Sequence, residues 1–403
     1  MSYKILFIGD PHFQVTNLLE VNLFIKKITD LAFEQKPDLI IIGGDILHTH
    51  ERLHTMALNK AYELIKAMKN ISLTYILVGN HDYINNSQFL TENHWMNSLK
   101  EWQNIVIVDK VVTLNPIINN IKYLFIFVPY VYPGKFQEAL NTCNINWKTS
   151  NCIFAHQEFW GCKMGAITSL EGDKWPESYP PIVSGHIHSR QIIQNNIYYP
   201  GSALQHAFGE SDKNIIPILT FSENYNYNNN FYKLEEIDLC LPKKKIVYLN
   251  IEDFEKFSNK QINLDNNNSN NNLDNNNLDN NNSNNNNLDN NNSNNNLDNN
   301  NLDIINKDQI KLTVNGNYEE FKTLKKSKQY KNIIDKGIKV VFKPIKNKEI
   351  NNIENTLENN DKNTNFLNIL NNIILKEKNE YLFQTYEYVI NEKKIEIEDI
   401  LFL

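Results

Sequence analysis

Three short apolar runs near the start of the chain constrain its fold more than any other feature: Lys4–Gly9, Asp38–Ile42 and Leu73–Val78. Each is short, rich in branched aliphatics and bounded by Gly, which reads as a buried strand ending in a tight turn. Between them, Leu18–Phe33 and Leu53–Met68 carry apolar residues at helical spacing. Strand, helix, strand, helix, strand predicts a parallel sheet with crossover helices. All three runs end in polar clusters: Asp10-Pro11-His12, Gly43-Gly44-Asp45 and Gly79-Asn80-His81-Asp82. The carboxyl ends of parallel strands are where open α/β sheets place their ligands.

After Tyr83 the pattern changes. Thr91–Trp102 reads as a helix containing His94, and strand-like runs follow at Ile105–Val108, Lys122–Val128, Cys152–Ala155, Pro181–Ser184, Ile197–Tyr199 and Ile215–Phe221. With few helical stretches between them, they suggest a second sheet packed on the first. Cys152–Ala155 delivers His156, and Pro181–Ser184 delivers Gly185-His186-Ile187-His188. The expected architecture is an α/β/β/α sandwich with its polar strand ends on one rim.

Asp10, His12, Asp45, Asn80, His81, His156, His186 and His188 are oxygen and imidazole donors, and all fall at expected strand ends. Carboxylate plus imidazole without thiolate suits Mn, Fe or Zn in a reactive site rather than a structural zinc site. One aspartate between two imidazole sets can bridge cations roughly 3.5–4 Å apart, the spacing used for in-line attack on phosphate esters. Each residue also has an ordinary reading. Asp10 and His12 fit an Asx turn, Asp45 a helix cap, and His156 a satisfied core histidine.

Taken in order, Asp10-x-His12, Gly44-Asp45, Gly79-Asn80-His81-Asp82, His156 and Gly185-His186-x-His188 resemble the five motifs of the calcineurin-like metallophosphoesterases. The resemblance covers Lys4 to Asp238. It implies two divalent cations, Mn by first expectation with Fe, Zn or Mg as alternatives. Asp10, His12 and His188 would hold one, Asn80, His156 and His186 the other, and Asp45 would bridge. His81, oriented by Asp82, would stabilise the transition state or protonate the leaving oxygen.

Narrower features resemble the SbcD, or meiotic-recombination-eleven, type of DNA repair exonuclease subunit. Gly44-Asp45-Ile46-Leu47-His48 adds a histidine, His48, after the bridging aspartate, as in the nuclease branch. Tyr199–Glu210 is similar to the stretch after the last SbcD motif, and Val128-Pro129-Tyr130 fits the same branch. Phe13-Gln14 departs from it, standing where SbcD-like chains carry Leu-Gly. The resemblance implies DNA as substrate and an SbcC-like coiled-coil ATPase as partner, with a homodimer as a further expectation. A phosphoesterase for a small phosphodiester or phosphoprotein, and a non-catalytic scaffold on the same fold, are the alternatives.

Composition bears on the partner. The net charge is −7, yet Lys307–Glu349 holds twelve lysines against five acids. Such a basic segment fits a phosphate-bearing polymer, with Lys322, Lys325, Lys326, Lys328 and Lys331 as candidate DNA contacts. A solvated lysine-rich surface is the plain alternative. Five parts are expected: residues 1–238 as the phosphoesterase domain, 239–262 as a connecting strand region, 263–303 as a disordered Asn-rich linker, 304–350 as a basic α+β capping-like unit, and 351–403 as a helical segment. In the last, Asn365–Lys378 reads as an amphipathic helix that expects a partner. Tyr318–Lys336 reads as one helix of the basic unit. Cys143, Cys152, Cys162 and Cys240 lack metal-knuckle spacing and are expected to be reduced thiols. With no signal-peptide pattern at Met1–Lys4 and no apolar run near the ~20 residues that span a bilayer, an intracellular location away from membranes is expected.

Overall fold

The computed structural model describes residues 2–50, 52–222, 231–259, 308–345, 373, 374 and 376. The Asn-rich tract at 263–303 lies outside them, as does the helix expected at Asn365–Lys378 apart from residues 373, 374 and 376. The chain divides into two units. Met1–Asn315 with Glu319–Phe342 forms one, and Gly316–Tyr318 with Lys343–Leu403 forms the other, nearly all of it outside the described residues.

The first strands and helices follow the apolar pattern: β1 (Tyr3–Ile8), α1 (Leu18–Gln35), β2 (Leu39–Ile42), α2 (Thr55–Ile71), β3 (Thr74–Leu77) and β4 (Ile105–Val108). Helix α1 stops because Lys36 turns left-handed at φ 47° and Pro37 cannot extend it. Helix α2 starts at His54, whose ring accepts from the Met56 N–H at 3.2 Å. Next come β5 (Val112–Leu114), the hairpin β6–β7 (Ile117–Ile118, Ile121–Lys122), β8 (Phe125–Val128), α3 (Phe136–Leu140) and β9 (Cys152–His156). The hairpin β10–β11 (Lys163–Met164, Ile167–Thr168), β12 (Ile182–Gly185), β13 (Gln191–Ile193), β14 (Ile197–Tyr199), β15 (Ile215–Phe221) and β16 (Lys233–Asp238) complete this part.

Two six-stranded sheets result, in the orders β16-β15-β1-β2-β3-β4 and β13-β14-β12-β9-β8-β5. Strands β1 to β4 run parallel, as do β8, β9, β12 and β14. Alternation along each strand serves two cores. Ile5 and Phe7 of β1 face the second sheet with Phe125, Phe127, Phe154 and Val183, whereas Leu6 and Ile8 face α1 and α2 with Phe24, Ile28, Leu64 and Ile65. Burying each such side chain contributes about 1.5–3 kcal/mol. The outer face of the second sheet is covered by α3 and by loops carrying Trp147 and Trp175. The layers are α/β/β/α, as expected.

Three details differ from the sequence reading. Ile105–Val108 and Ile215–Phe221 join the first sheet, beside β3 and β1, and not the second. The helix expected at Thr91–Trp102 shrinks to a 3-10 segment at Asn97–Glu101. There His94 turns inward instead, pairing with Asp109 at 3.3 Å and bridging Tyr83. The single helix expected at Tyr318–Lys336 is two, α4 (Tyr318–Leu324) and α5 (Lys328–Asp335). Ser327 interrupts it, capping α5 by accepting from the Tyr330 N–H at 3.1 Å.

These last helices belong to a small sheet of β17 (Lys244–Asn250), β18 (Gln309–Gly316) and β19 (Lys339–Pro344), in that order. Because β17 pairs in parallel with β18, residues on both sides of positions 260–307 build it. Its core is Phe254, Leu312, Val314, Ile333 and Ile338. No described helix is long and apolar enough to cross a membrane.

Candidate metal centre

The turns after β1, β2, β3, β9 and β12 bring the expected donors together. Asp10, His12, Asp45 and His186 sit in left-handed conformations, with φ of 35°, 45°, 49° and 81°. That region is unfavourable for residues with a Cβ and is populated here by side chains turned into the site. Neighbouring glycines make the approach possible. A Cβ on Gly79 would collide with the Asp45 carboxylate, and one on Gly44, at φ 103°, with the His156 ring.

Asp45 stands at the centre. Its Oδ2 is 3.5 Å from His12 Nε2 and 3.4 Å from His156 Nε2. On one side His12 Nε2 meets His188 Nε2 at 2.9 Å, and Asp10 lies with His12 and Asp45 in a single cluster. On the other, Asn80 Oδ1 is 3.0 Å from His156 Nε2 and 2.9 Å from His186 Nδ1. All seven sequence-predicted ligands therefore fall into two groups that share Asp45.

These separations fit shared cations. Ligands about 2.1 Å from an octahedral ion are neighbours at about 3 Å. Two imidazole nitrogens at 2.9 Å, as in His12 and His188, otherwise repel unless a proton lies between them. Asp10 Oδ2 is buried with no hydrogen-bond partner, an orphan that a cation would satisfy. Electrostatics point the same way. Burial opposes charging His156, but the carboxylates of Asp45 and Asp10 raise it to about 9. Asp45 remains well below the usual carboxylate range despite burial, because His156 and His12 face it. Burial lifts Asp10 to about 6, and burial with the nearby His156 presses His186 down to about 3. Of the four candidate ligand imidazoles, burial favours the neutral form of His12 and His186, while neighbouring carboxylates raise His156 and His188.

His81 stands at the mouth of the pocket. Its backbone N–H donates to Asp45 Oδ1 at 2.8 Å, and its Nδ1 lies 2.6 Å from the His48 carbonyl oxygen, which makes Nδ1 the donor. The ring stacks on His50 at 4.9 Å and lies parallel to His48 at 5.7 Å. Asp82 does not orient it. The Asp82 carboxylate accepts from the N–H groups of Gly79 at 3.1 Å and Ile46 at 3.2 Å and from Trp95 Nε1 at 2.9 Å. Consecutive side chains in this turn diverge, so Asp82 ties two ligand-bearing loops together while the His48 carbonyl sets the His81 ring. Burial, then Asp45, raises the Asp82 carboxyl to about 7.

Two residues of the site were not singled out from sequence. His206 Nε2 is 3.0 Å from the Asp10 carbonyl oxygen, and its ring packs edge-on against His12 and His188. Glu210 Oε1 is 3.5 Å from His188 Nδ1. Both lie in Tyr199–Glu210, whose resemblance to SbcD was their only sequence signal. The five candidate DNA-contact lysines all lie on or beside α4 and α5.

The family model for calcineurin-like phosphoesterases matches residues 3–212. This chain belongs to that family. As a calcineurin-like phosphoesterase it is a metal-dependent phosphoester hydrolase of the dimetal type. It is 40% identical over 369 residues to “Putative phosphoesterase 078R” of Invertebrate iridescent virus 3, covering 91% of this chain and 90% of that protein. It is 53% identical over 252 residues to “Putative phosphoesterase 244L” of Invertebrate iridescent virus 6, covering 62% of this chain and 87% of that protein. Among solved structures, purple acid phosphatase PPD1 from yellow lupin (Lupinus luteus) seeds aligns with a TM-score of 0.37 at 13% identity, over 59% of this chain and 52% of that one. That likeness is too distant to bear on function.

Proposed function

We propose that this phosphoesterase cleaves the phosphodiester backbone of DNA, as an SbcD-type nuclease subunit working with an SbcC-like coiled-coil ATPase. The observation that carries this reading is the fold of Tyr199–Glu210. The stretch that resembles SbcD most closely contributes His206 and Glu210 to the metal centre itself. Lys322, Lys325, Lys326, Lys328 and Lys331 supply positive charge that a polyanion would use. His48, the histidine that follows the bridging aspartate in the nuclease branch, lies beside His12 and His81.

Asp10, His12 and His188 would hold one cation and Asn80, His156 and His186 the other, with Asp45 shared. When bound, such a pair polarises phosphoryl oxygens and makes water acidic enough to attack at neutral pH. The side chains do the rest. Asp82 keeps the loops bearing Asp45 and Asn80 in register. The His48 carbonyl fixes the proton of His81 on Nδ1, leaving Nε2 to face a substrate oxygen, and a second proton there would make His81 the acid for the leaving group.

One observation favours a small phosphodiester instead: Glu158 Oε2 stands 3.9 Å from His186 Nε2, and a carboxylate there repels a polyanion more than a singly charged ester. The deciding assay follows a labelled linear DNA duplex and a chromogenic phosphodiester side by side, in Mn2+ and in EDTA, for wild type and Asp45→Ala. Mn2+-dependent shortening of DNA that Asp45→Ala abolishes is expected. Hydrolysis of the small ester alone, with and without a coiled-coil ATPase, would overturn the nuclease reading and leave the phosphoesterase intact.

A further inference from the structure

The outer nitrogens of the ligand imidazoles meet different partners. His156 Nδ1 is 2.7 Å from the Gly43 carbonyl oxygen, and His12 Nδ1 is buried without a hydrogen-bond partner. His188 presents Nε2 to the centre, 2.9 Å from His12 Nε2, and Nδ1 to Glu210 Oε1 at 3.5 Å. The other Glu210 oxygen accepts from the N–H groups of His206 at 2.9 Å and Ala207 at 3.0 Å, which closes the turn. Lys244, the first residue of β17, holds the same turn from behind. Its N–H donates to Gln205 Oε1 at 2.6 Å, and its Nζ donates to the Gln205 carbonyl at 2.7 Å. In the second group Glu158 Oε2 stands 3.9 Å from His186 Nε2, beyond hydrogen-bond reach.

We propose that Glu210 is a positioning residue for the cation held by Asp10, His12 and His188, fixing the tautomer and plane of His188 with one oxygen and the turn behind it with the other. A ligating imidazole whose far N–H is donated to a carboxylate is more basic and is locked in one orientation, and loss of such a partner weakens metal affinity about 10–100-fold. Since Glu210 faces His188 and none of the ligands on the other side, it acts on one of the two sites. Glu210→Gln keeps an oxygen for the His206 and Ala207 N–H groups and turns an NH2, which cannot accept, toward His188 Nδ1, so it separates positioning from folding.

The inference rests on the dimetal reading, and one titration distinguishes the two. Free Mn2+ is counted by its electron paramagnetic resonance signal as the metal-free full chain is titrated with Mn2+ alone, for wild type, Glu210→Gln and Glu210→Ala. Expected are two sites in wild type. In Glu210→Gln one site should be about 10–100-fold weaker, with the other unchanged and the melting temperature of the metal-free protein preserved. Glu210→Ala should weaken the same site at least as much. Wild-type binding of fewer than two ions overturns the dimetal reading and the proposal with it. Two wild-type sites that Glu210→Gln leaves unchanged, or weakens equally, overturn the proposal alone.

Discussion

The sandwich and the small β17–β18–β19 unit are built to different standards. The sandwich buries three apolar clusters between and outside two six-stranded sheets, with most members fully excluded from solvent. The small unit closes on five buried residues. Chemistry is divided in the same way. All ten histidines precede Ala207, and eight of them, all but His54 and His94, surround the metal centre or its mouth. The small unit instead carries the candidate DNA-contact lysines. A reaction that needs atoms fixed within about 0.5 Å calls for a rigid support. Charge attraction to a polymer acts over a Debye length and tolerates a looser one. On the proposed reading, reaction and substrate choice would be divided between these two regions, which Lys244 of β17 joins through the turn at Gln205.

Substitutions can break or sharpen that separation. The largest effect is expected from His81→Ala, which should lower hydrolysis of both DNA and a small ester about 10²–10⁴-fold while leaving two Mn2+ bound. Normal turnover would remove His81 from the chemistry. Next, Leu312→Ala should destabilise the small unit by about 2–5 kcal/mol, seen as faster hydrogen exchange in β17 and β18. Small-ester hydrolysis should change less than twofold, and a parallel collapse of that activity would show the two regions are one cooperative body. Third, Lys325→Ala, Lys326→Ala and Lys328→Ala together should weaken DNA binding. The salt dependence should also flatten, by about one unit of log–log slope for each phosphate no longer neutralised. An unchanged slope would place DNA elsewhere.

The smallest effect tests a pair of the sandwich outside the candidate ligand set. Burial alone would raise the Asp109 carboxyl, but hydrogen bonds from His94 and Lys100 hold it below the usual range. A depressed carboxylate contributes stability above its unfolded pKa and loses it as pH falls through the folded value. Denaturant melts should therefore show Asp109→Asn less stable than wild type near neutrality, with the gap closing in acid. A gap that widens in acid would reverse the sign of this pairing.

The candidate metal ligands were legible because they follow apolar runs that read as buried strands and match, in order, the motifs of the family the chain resembles. Which sheet a strand joins was not legible. Alternation in Ile215–Phe221 describes its two faces and is silent about the neighbour on its edge, which is antiparallel β1. The role of Asp82 was hidden because neighbours in sequence need not be neighbours in space, and the turn sends His81 and Asp82 to opposite partners. Glu210 was hidden for the converse reason. It lies far from His188 along the chain and meets it only through the turn that its own carboxylate closes.

The left-handed backbone at Asp10, His12, Asp45 and His186 has a consequence for how this protein can lose its activity. Each such residue holds back on the order of 1 kcal/mol of conformational energy, within a native state stable by only about 5–15 kcal/mol. Glycine at position 45 should release that tension, so in EDTA Asp45→Gly should melt above Asp45→Ala although both are inactive. A lineage freed from selection for catalysis would thus find hardening the scaffold downhill. Ligand positions would drift toward glycine first, and the fold would outlive the enzyme.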